Sequence, residues 1–297
     1  MLDAGSDRFA AARLASPERL DPDTVRRYLC VLGVESREPD LATLSELVKA
    51  HLVRVPFENI SKLYYRKHFG LSSPPSIGRY LDGIEQYHFG GTCYSNNFHF
   101  YSLLASLGYA VKLCAADMAT PDVHLVSMVT VEGREYLVDT GYAAPLLAPL
   151  PRDLTSDYVV ALGRDRYVLK PQDSAGRSRL ELYRNGALKH GYLAKPEPRD
   201  LGDFGRVIAD SFSAGATFLN SLLLARFWPG RSTVIHNLTR IESQGARSQV
   251  HALADREGLI GAIEQYFAIP RPIVAEAVNE VGTMQDAWGD PFLGGRG

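Results

Sequence analysis

A chain of 297 residues, 45% hydrophobic and 22% charged, has the composition of a globular protein with room for two or three subdomains. Its formal net charge of −2 excludes the basic footprint of a nucleic-acid binder and makes a small organic molecule the expected substrate class. Three cysteines without framework spacing suit a reducing cytoplasm, and the sequence offers no long apolar run, signal peptide, metal-ligand cluster or phosphate-binding glycine motif.

In chain order, residues 1–20 read as an extension, 21–109 as a helical domain, 110–195 as a β-barrel domain and 196–297 as an α/β lid with C-terminal helices. Asp21-Pro22 opens the first helix, with Val25, Tyr28, Leu29 and Leu32 on one face until Gly33. Thr43-Leu44-Ser45-Glu46 has the form of a capping box, and the helix behind it continues to Pro56 with His51 on its core face. Glu58 and Asn59 read as turn-capping residues. Tyr64 to Lys67 reads as a solvated edge, and Ile77 to Ile84 as a short helix feeding Gly90-Gly91.

Cys93 begins the next helix, because Phe100, Leu103, Leu104 and Leu107 recur at helical spacing until Gly108. The first turn of a helix exposes unpaired N–H groups and the positive end of its dipole, and both favour thiolate over thiol. Ala110 to Met118 then reads as a strand with Cys114 in a structural position. His124 to Val131 and Arg134 to Asp139 form a hairpin around Glu132-Gly133. A two-residue loop pairs Val131 with Arg134, so Asp139 falls opposite Val126 and becomes a diagonal neighbour of His124 on the same face. A slip of one residue would send that carboxylate to the other side of the sheet.

Cysteine, histidine and aspartate in this relation are the parts of a thiol triad: nucleophile, base and orienting acid. Farther along, strands are expected at 157–162, 166–170, 180–183 and 187–193, with Asn185-Gly186 as a hairpin turn. Lys195-Pro196-Glu197-Pro198 reads as a linker. Asp203 to Ala214 is expected to be partly helical, Thr217 to Phe227 a strand or buried segment and Thr233 to Glu242 one strand. Two helices follow, one capped by Asp255 and one from Ile273 to Val281, before a Gly-rich tail.

Gly90-Gly91-Thr92-Cys93 at a helix head, His124-Leu125 on a strand and Val138-Asp139-Thr140-Gly141-Tyr142 after a hairpin resemble the arylamine N-acetyltransferases. Arg54-Val55-Pro56-Phe57-Glu58-Asn59-Ile60 is similar to that family's N-terminal signature. The resemblance implies an α+β fold: an N-terminal helical bundle carrying the catalytic cysteine, an antiparallel β-barrel and a C-terminal α/β lid. It also implies Cys93, His124 and Asp139 as catalytic residues, acetyl-CoA as acyl donor, no metal and a small-molecule amine as acceptor.

Phe57, Tyr94 and Tyr142 are the candidates to contact substrate, with Tyr142 alternatively a core aromatic, and Glu58, Asn59 and Asn97 are the candidates to support the triad. The family usually has Arg at Phe89, an acidic or amide residue at Ser95 and Gly at Ala143, whereas Asn97 and Gly141 match. The segment between Cys93 and His124 is also several residues shorter than in the family. These departures leave open an amide-forming acyltransferase of secondary metabolism served by an acyl-carrier protein, beside a papain- or transglutaminase-like hydrolase and an inactive homologue.

Overall fold

The computed structural model describes residues 19–281, so the expected N-terminal extension falls almost entirely, and the Gly-rich tail entirely, outside the described residues. Five helices come first: α1 Pro22–Leu32, α2 Leu41–Arg54, α3 Ile60–Phe69, α4 Ile77–Tyr87 and α5 Cys93–Ser106. Asp21 caps α1 by accepting from the Asp23 and Thr24 amides, and Gly33 closes it in the left-handed conformation. The second helix starts three residues earlier than its sequence suggests. Asp40 accepts from the Thr43 amide at 2.6 Å and is the cap, so the apparent box at Thr43 lies inside the first turn. Residues 64–67, read as a solvated edge, belong to helix α3, whose apolar buried face is Ile60, Leu63 and Tyr65, while Glu58 and Asn59 sit just before it as read, Glu58 accepting from the Ser61 amide.

An eight-stranded antiparallel sheet follows, made from β1 Ala110–Asp117, β2 His124–Val131, β3 Arg134–Val138, β4 Leu150–Pro151, β5 Tyr158–Leu162, β6 Asp165–Leu169, β7 Ser178–Arg184 and β8 Ala187–Pro198. The strand order is β4-β3-β2-β1-β8-β7-β6-β5. Its edge strands do not pair, so the expected barrel is an open, curled half-barrel. Lys195 to Pro198 is the end of β8 and not a linker: Ala194 pairs with Ala116, Pro198 pairs with Cys114, and the register shifts between them. That bulge accommodates two prolines in an interior strand, where a regular ladder would need their missing N–H groups.

A second, four-stranded antiparallel sheet runs in simple order: β9 Leu223–Trp228, β10 Arg231–His236, β11 Thr239–Gln244 and β12 Arg247–Ala252. The stretch expected as one strand from Thr233 to Glu242 is therefore a hairpin, turning at Asn237 with φ 48°. Short helices α6 Gly205–Asp210 and α7 Thr217–Asn220 precede this sheet, and α8 Arg256–Phe267 and α9 Arg271–Glu280 complete it.

The main core lies between α1, α2, α4, α5 and the curled sheet. A second core joins α3 to α8, α9 and the small sheet. Among the described residues no helix is long and apolar enough to cross a membrane.

Two seams hold the halves together. Phe57 exchanges backbone hydrogen bonds with Ala225 (3.0 and 2.8 Å). At the far side the β5–β6 turn docks on the small sheet through Gly163 N to Gly245 O at 2.8 Å.

Candidate active site

Cys93 is the first residue of α5, with Thr92 as its N-cap. Ser95 and Asn96 donate backbone bonds to Thr92 O, so the Cys93 and Tyr94 amides precede the hydrogen-bond ladder of the helix. The segment in front of it is fixed by Glu58, whose carboxylate accepts from Gly90 N at 3.0 Å and from Ser61 N at 2.9 Å. Gly90 has no freedom to be larger, since a Cβ there would lie 1.9 Å from Pro56 O.

The β2–β3 hairpin has the expected register, Val131 with Arg134 and Ser127 with Val138, and Glu132 and Gly133 both take positive φ. Continued by one residue, that register sets Asp139 opposite Val126. His124 Nε2 and Asp139 Oδ2 are 2.8 Å apart, and their side chains are only 3% and 0% exposed. The other Asp139 oxygen accepts from Asn97 Nδ2 at 2.8 Å and from Gly141 N at 2.9 Å. Asn97 also donates to Leu125 O at 2.6 Å and accepts from Thr140 N at 2.7 Å. One amide from α5 thereby ties the carboxylate, the strand carrying the imidazole and the helix that Cys93 heads.

Burial opposes an imidazolium at His124. The Asp139 carboxylate and the Cys93 sulfur outweigh it, and the ring holds its proton well above the ordinary 6.5. Burial likewise opposes ionisation of Asp139, yet His124, Asn97 and the Gly141 amide keep it below the usual carboxylate range. At Cys114 burial outweighs the nearby Lys112 and Arg152 charges, and the thiol is pushed up to about 12.

Cys93 and His124 open on a cleft of about 1410 Å³ between the curled sheet, α6 and the small sheet. Phe57, Tyr94 and Tyr142 all line it, as their sequence positions suggest. Tyr142 serves both of its alternatives, being a buried aromatic and a cleft wall: its ring stands 5.6 Å from the His124 ring, and its hydroxyl lies 2.6 Å from His190 Nδ1. Tyr192 of β8 covers the imidazole from another side with ring centroids 5.0 Å apart. No sequence signal marked it, because β8 meets β1 only through the long-range pairing of the sheet.

The family model described as N-acetyltransferase matches residues 40–273. The chain belongs to the arylamine N-acetyltransferase family.

It is 27% identical over 199 residues to the pineal gland isozyme NAT-3 of Gallus gallus, an alignment covering 58% of this chain and 66% of that protein, just under two thirds of its length. It is 26% identical over 232 residues to proansamycin X synthase of Amycolatopsis mediterranei strain S699, covering 73% and 85%. Among solved structures, the Nocardia farcinica arylamine N-acetyltransferase superposes with a TM-score of 0.72 at 25% identity, covering 88% of this chain and 94% of that one. The Mycobacterium marinum enzyme in complex with CoA gives 0.72 at 22% identity, covering 86% and 99%.

This arylamine N-acetyltransferase family member departs from the family pattern at three places, and each has a physical setting. Phe89 is buried among Tyr64, Tyr65 and Tyr87, at centroid distances of 5.5, 5.8 and 5.3 Å, and makes an aromatic cluster where the family usually has a cation. Glu58 keeps its two amide donors and has no cation partner among the described residues, and burial raises its carboxyl above the ordinary 4.5. Ala143 takes φ 59°, the left-handed region in which glycine is at ease, on the cleft wall. Ser95 faces a small side pocket.

Asn59 lies away from the triad. Its amide donates to Phe218 O at 2.9 Å and Ser221 O at 2.8 Å and accepts from Leu223 N at 2.9 Å, joining the N-terminal signature to the start of β9. Lys62, in the first turns of α3, reaches the cleft wall and was hidden in the sequence because the helix itself was.

Proposed function

We propose that this protein is a cysteine-dependent acyltransferase that carries an acyl group from a thioester to an amine through an acyl-enzyme. The observation that carries this reading is the convergence, at the floor of one cleft, of a helix-head cysteine with a buried imidazole bonded to a buried carboxylate at 2.8 Å. In the first half-reaction the Cys93 thiolate attacks the thioester carbonyl, the carbon–sulfur bond to the donor breaks, and the leaving thiolate takes the His124 proton. In the second, an amine attacks the acyl-enzyme, its proton passes to His124, and the Cys93 thiolate leaves with the amide formed.

Asp139 fixes the imidazole orientation and stabilises its charged form. The Cys93 and Tyr94 amides, together with the helix dipole, are placed to receive the charge developing on the carbonyl oxygen. Thiolate-for-thiolate exchange is nearly isoenergetic, which suits a donor such as acetyl-CoA. Membership of this family and the CoA complex of the Mycobacterium marinum structure support that donor.

A second reading keeps the chemistry and changes the donor. The alignment covering 85% of proansamycin X synthase, and a cleft above the usual 300–1,000 Å³ of small-molecule sites, favour an amide-forming enzyme that takes its acyl group from a carrier-protein thioester.

Intact mass after incubation with acetyl-CoA tests the first reading. One added acetyl is expected on the wild type and none on Cys93→Ala, and an unmodified wild-type protein counts against it. Adduct formation from an acyl-carrier protein alone selects the second.

A further inference from the structure

Lys62 is 8% exposed, and among the described residues no carboxylate pairs with it. Its ammonium donates to Ser211 Oγ at 2.9 Å, and that hydroxyl spends its own hydrogen on Ile208 O at 2.6 Å. The Phe212 ring faces the ammonium at 4.0 Å. An ammonium has three donors, and among the described residues one of these has a hydrogen-bond acceptor. Burial draws Lys62 down to about 8, while the charge of Cys93 acts the other way and the like charge of Arg66 adds to the penalty. A charge taken from water at this cost calls for an anion opposite it.

The space opposite is a side pocket of about 20 Å³, which opens beside the main cleft and shares Lys62, Thr92 and Tyr94 with it. Its polar lining is Lys62 with the hydroxyl residues Ser61, Ser73, Thr92 and Ser95, while the Tyr65 and Tyr94 hydroxyls of the same lining are spent on Arg79 O and Val123 O. The Thr92 hydroxyl is not consumed in capping α5. Thr92, Tyr94 and Ser95 flank Cys93 on the chain, Lys62 feels the charge of Cys93, and the pocket shares three residues with the cleft that Cys93 lines, so a group entering it sits within electrostatic reach of the sulfur.

We infer that Lys62 and these four hydroxyls form an anion subsite next to Cys93 that receives a carboxylate carried by one of the two substrates. A pocket of this volume takes a group of a few atoms, which argues for a carboxylate and against a pyrophosphate. Position gives the same answer: the phosphates of a coenzyme lie many bonds from its thioester sulfur, whereas the acyl chain and the acceptor amine both meet at Cys93.

This inference rests on the acyl-transfer reading only for which substrate brings the carboxylate, and the test separates the two. First, Cys93 alkylation is timed with iodoacetate and 4-iodobutyrate, each against its neutral amide. The ratio of acid to amide is expected to fall about tenfold in Lys62→Gln for at least one chain length. Ser95→Asp, which sets a competing carboxylate in the pocket and leaves Lys62 in place, is expected to lower it as well.

Second, kcat/KM is compared for succinyl-CoA against butyryl-CoA, and for 4-aminobenzoate against its methyl ester. Loss of preference on the donor pair in Lys62→Gln assigns the carboxylate to the acyl group, and loss on the acceptor pair assigns it to the amine. A changed alkylation ratio without turnover of any thioester upholds the subsite and overturns the acyl-transfer reading. Acid-to-amide ratios that are the same in wild type, Lys62→Gln and Ser95→Asp overturn the subsite, and the amide reagents report in each protein whether Cys93 is still correctly housed.

Discussion

The two walls of the cleft are built on opposite terms. On the triad side, Asp139 has each carboxylate oxygen engaged, Asn97 uses both ends of its amide, and the side chains of His124 and Asp139 are 3% and 0% exposed. On the facing side, α6 carries Arg206 and Asp210 with side chains 92% and 72% exposed, and this wall is moored to the N-terminal signature through Phe57 and Asn59. On the proposed mechanism, reaction geometry resides in a buried frame, and the choice of what enters resides in a wall that carries the exposed charges of α6. A change on the first wall is expected to strike the chemical step, and one on the second to strike substrate affinity.

The sharpest way to break that division is Asp139→Asn. It preserves shape but removes the charge that lifts His124, and kcat is expected to fall on the order of 10⁴-fold with little change in KM. In the wild type, the raised His124 contributes stability fully below 6.5, and that contribution fades as pH rises through its higher folded value. Asp139, held low, contributes above 3.8 and loses its share as pH falls through its depressed folded value. The thermal midpoint of Asp139→Asn should therefore lag the wild type most between pH 3.8 and 6.5, where both contributions are fully present, a gap that differential scanning calorimetry can follow.

Asn59→Ala attacks the mooring and not the triad. It strands two carbonyls and one amide where β9 begins, for about 2–4 kcal/mol of stability. KM for the thioester is expected to rise more than kcat falls, and steady-state kinetics with a denaturant melt would show it. Equal losses in both parameters would erase the distinction between the walls.

Gly141→Ala probes the frame from within. A Cβ there would stand 2.6 Å from Cys93 Cα and 2.8 Å from Asn97 Nδ2, so the Asp139 loop must back away from α5. A cost of about 1–3 kcal/mol is expected, with a drop in the rate of Cys93 alkylation by iodoacetamide.

Glu58→Gln has the smallest effect and a pH signature. The raised carboxyl of Glu58 is tolerated best in its neutral form, so wild-type stability should decline as pH rises from 4.5 through the folded value. The glutamine variant should lack that component of the decline in melts recorded from pH 5 to 8.

The His124–Asp139 pairing was legible because its geometry is local. Glu132-Gly133 defines a two-residue turn, and the alternation of strand side chains then puts Asp139 on the face of His124. Asn97 and Gly141 were readable from the family pattern. What escaped the sequence depends on distance along the chain or on ambiguous local signals. Helix α3 was obscured because its polar and aromatic residues mask a narrow apolar face. The β10–β11 turn at Asn237-Leu238 has no glycine to announce it, and the Asp40 cap is outshone by the box-like Thr43-to-Glu46 run. The strand at Lys195 to Pro198 exists only because β1 lies beside it, and the Asn59 clamp spans 159 to 164 residues. Lys62 went unnoticed with its helix.

One turn of α5 separates Cys93 from Asn97. That single rigid spacer sets the distance between the sulfur and the carboxylate which steers the imidazole, without reference to the far wall. The cleft can widen to admit a bulky guest or narrow around a small one while the three reacting groups keep their mutual alignment, so a family built on this helix can change its clientele without retuning its chemistry.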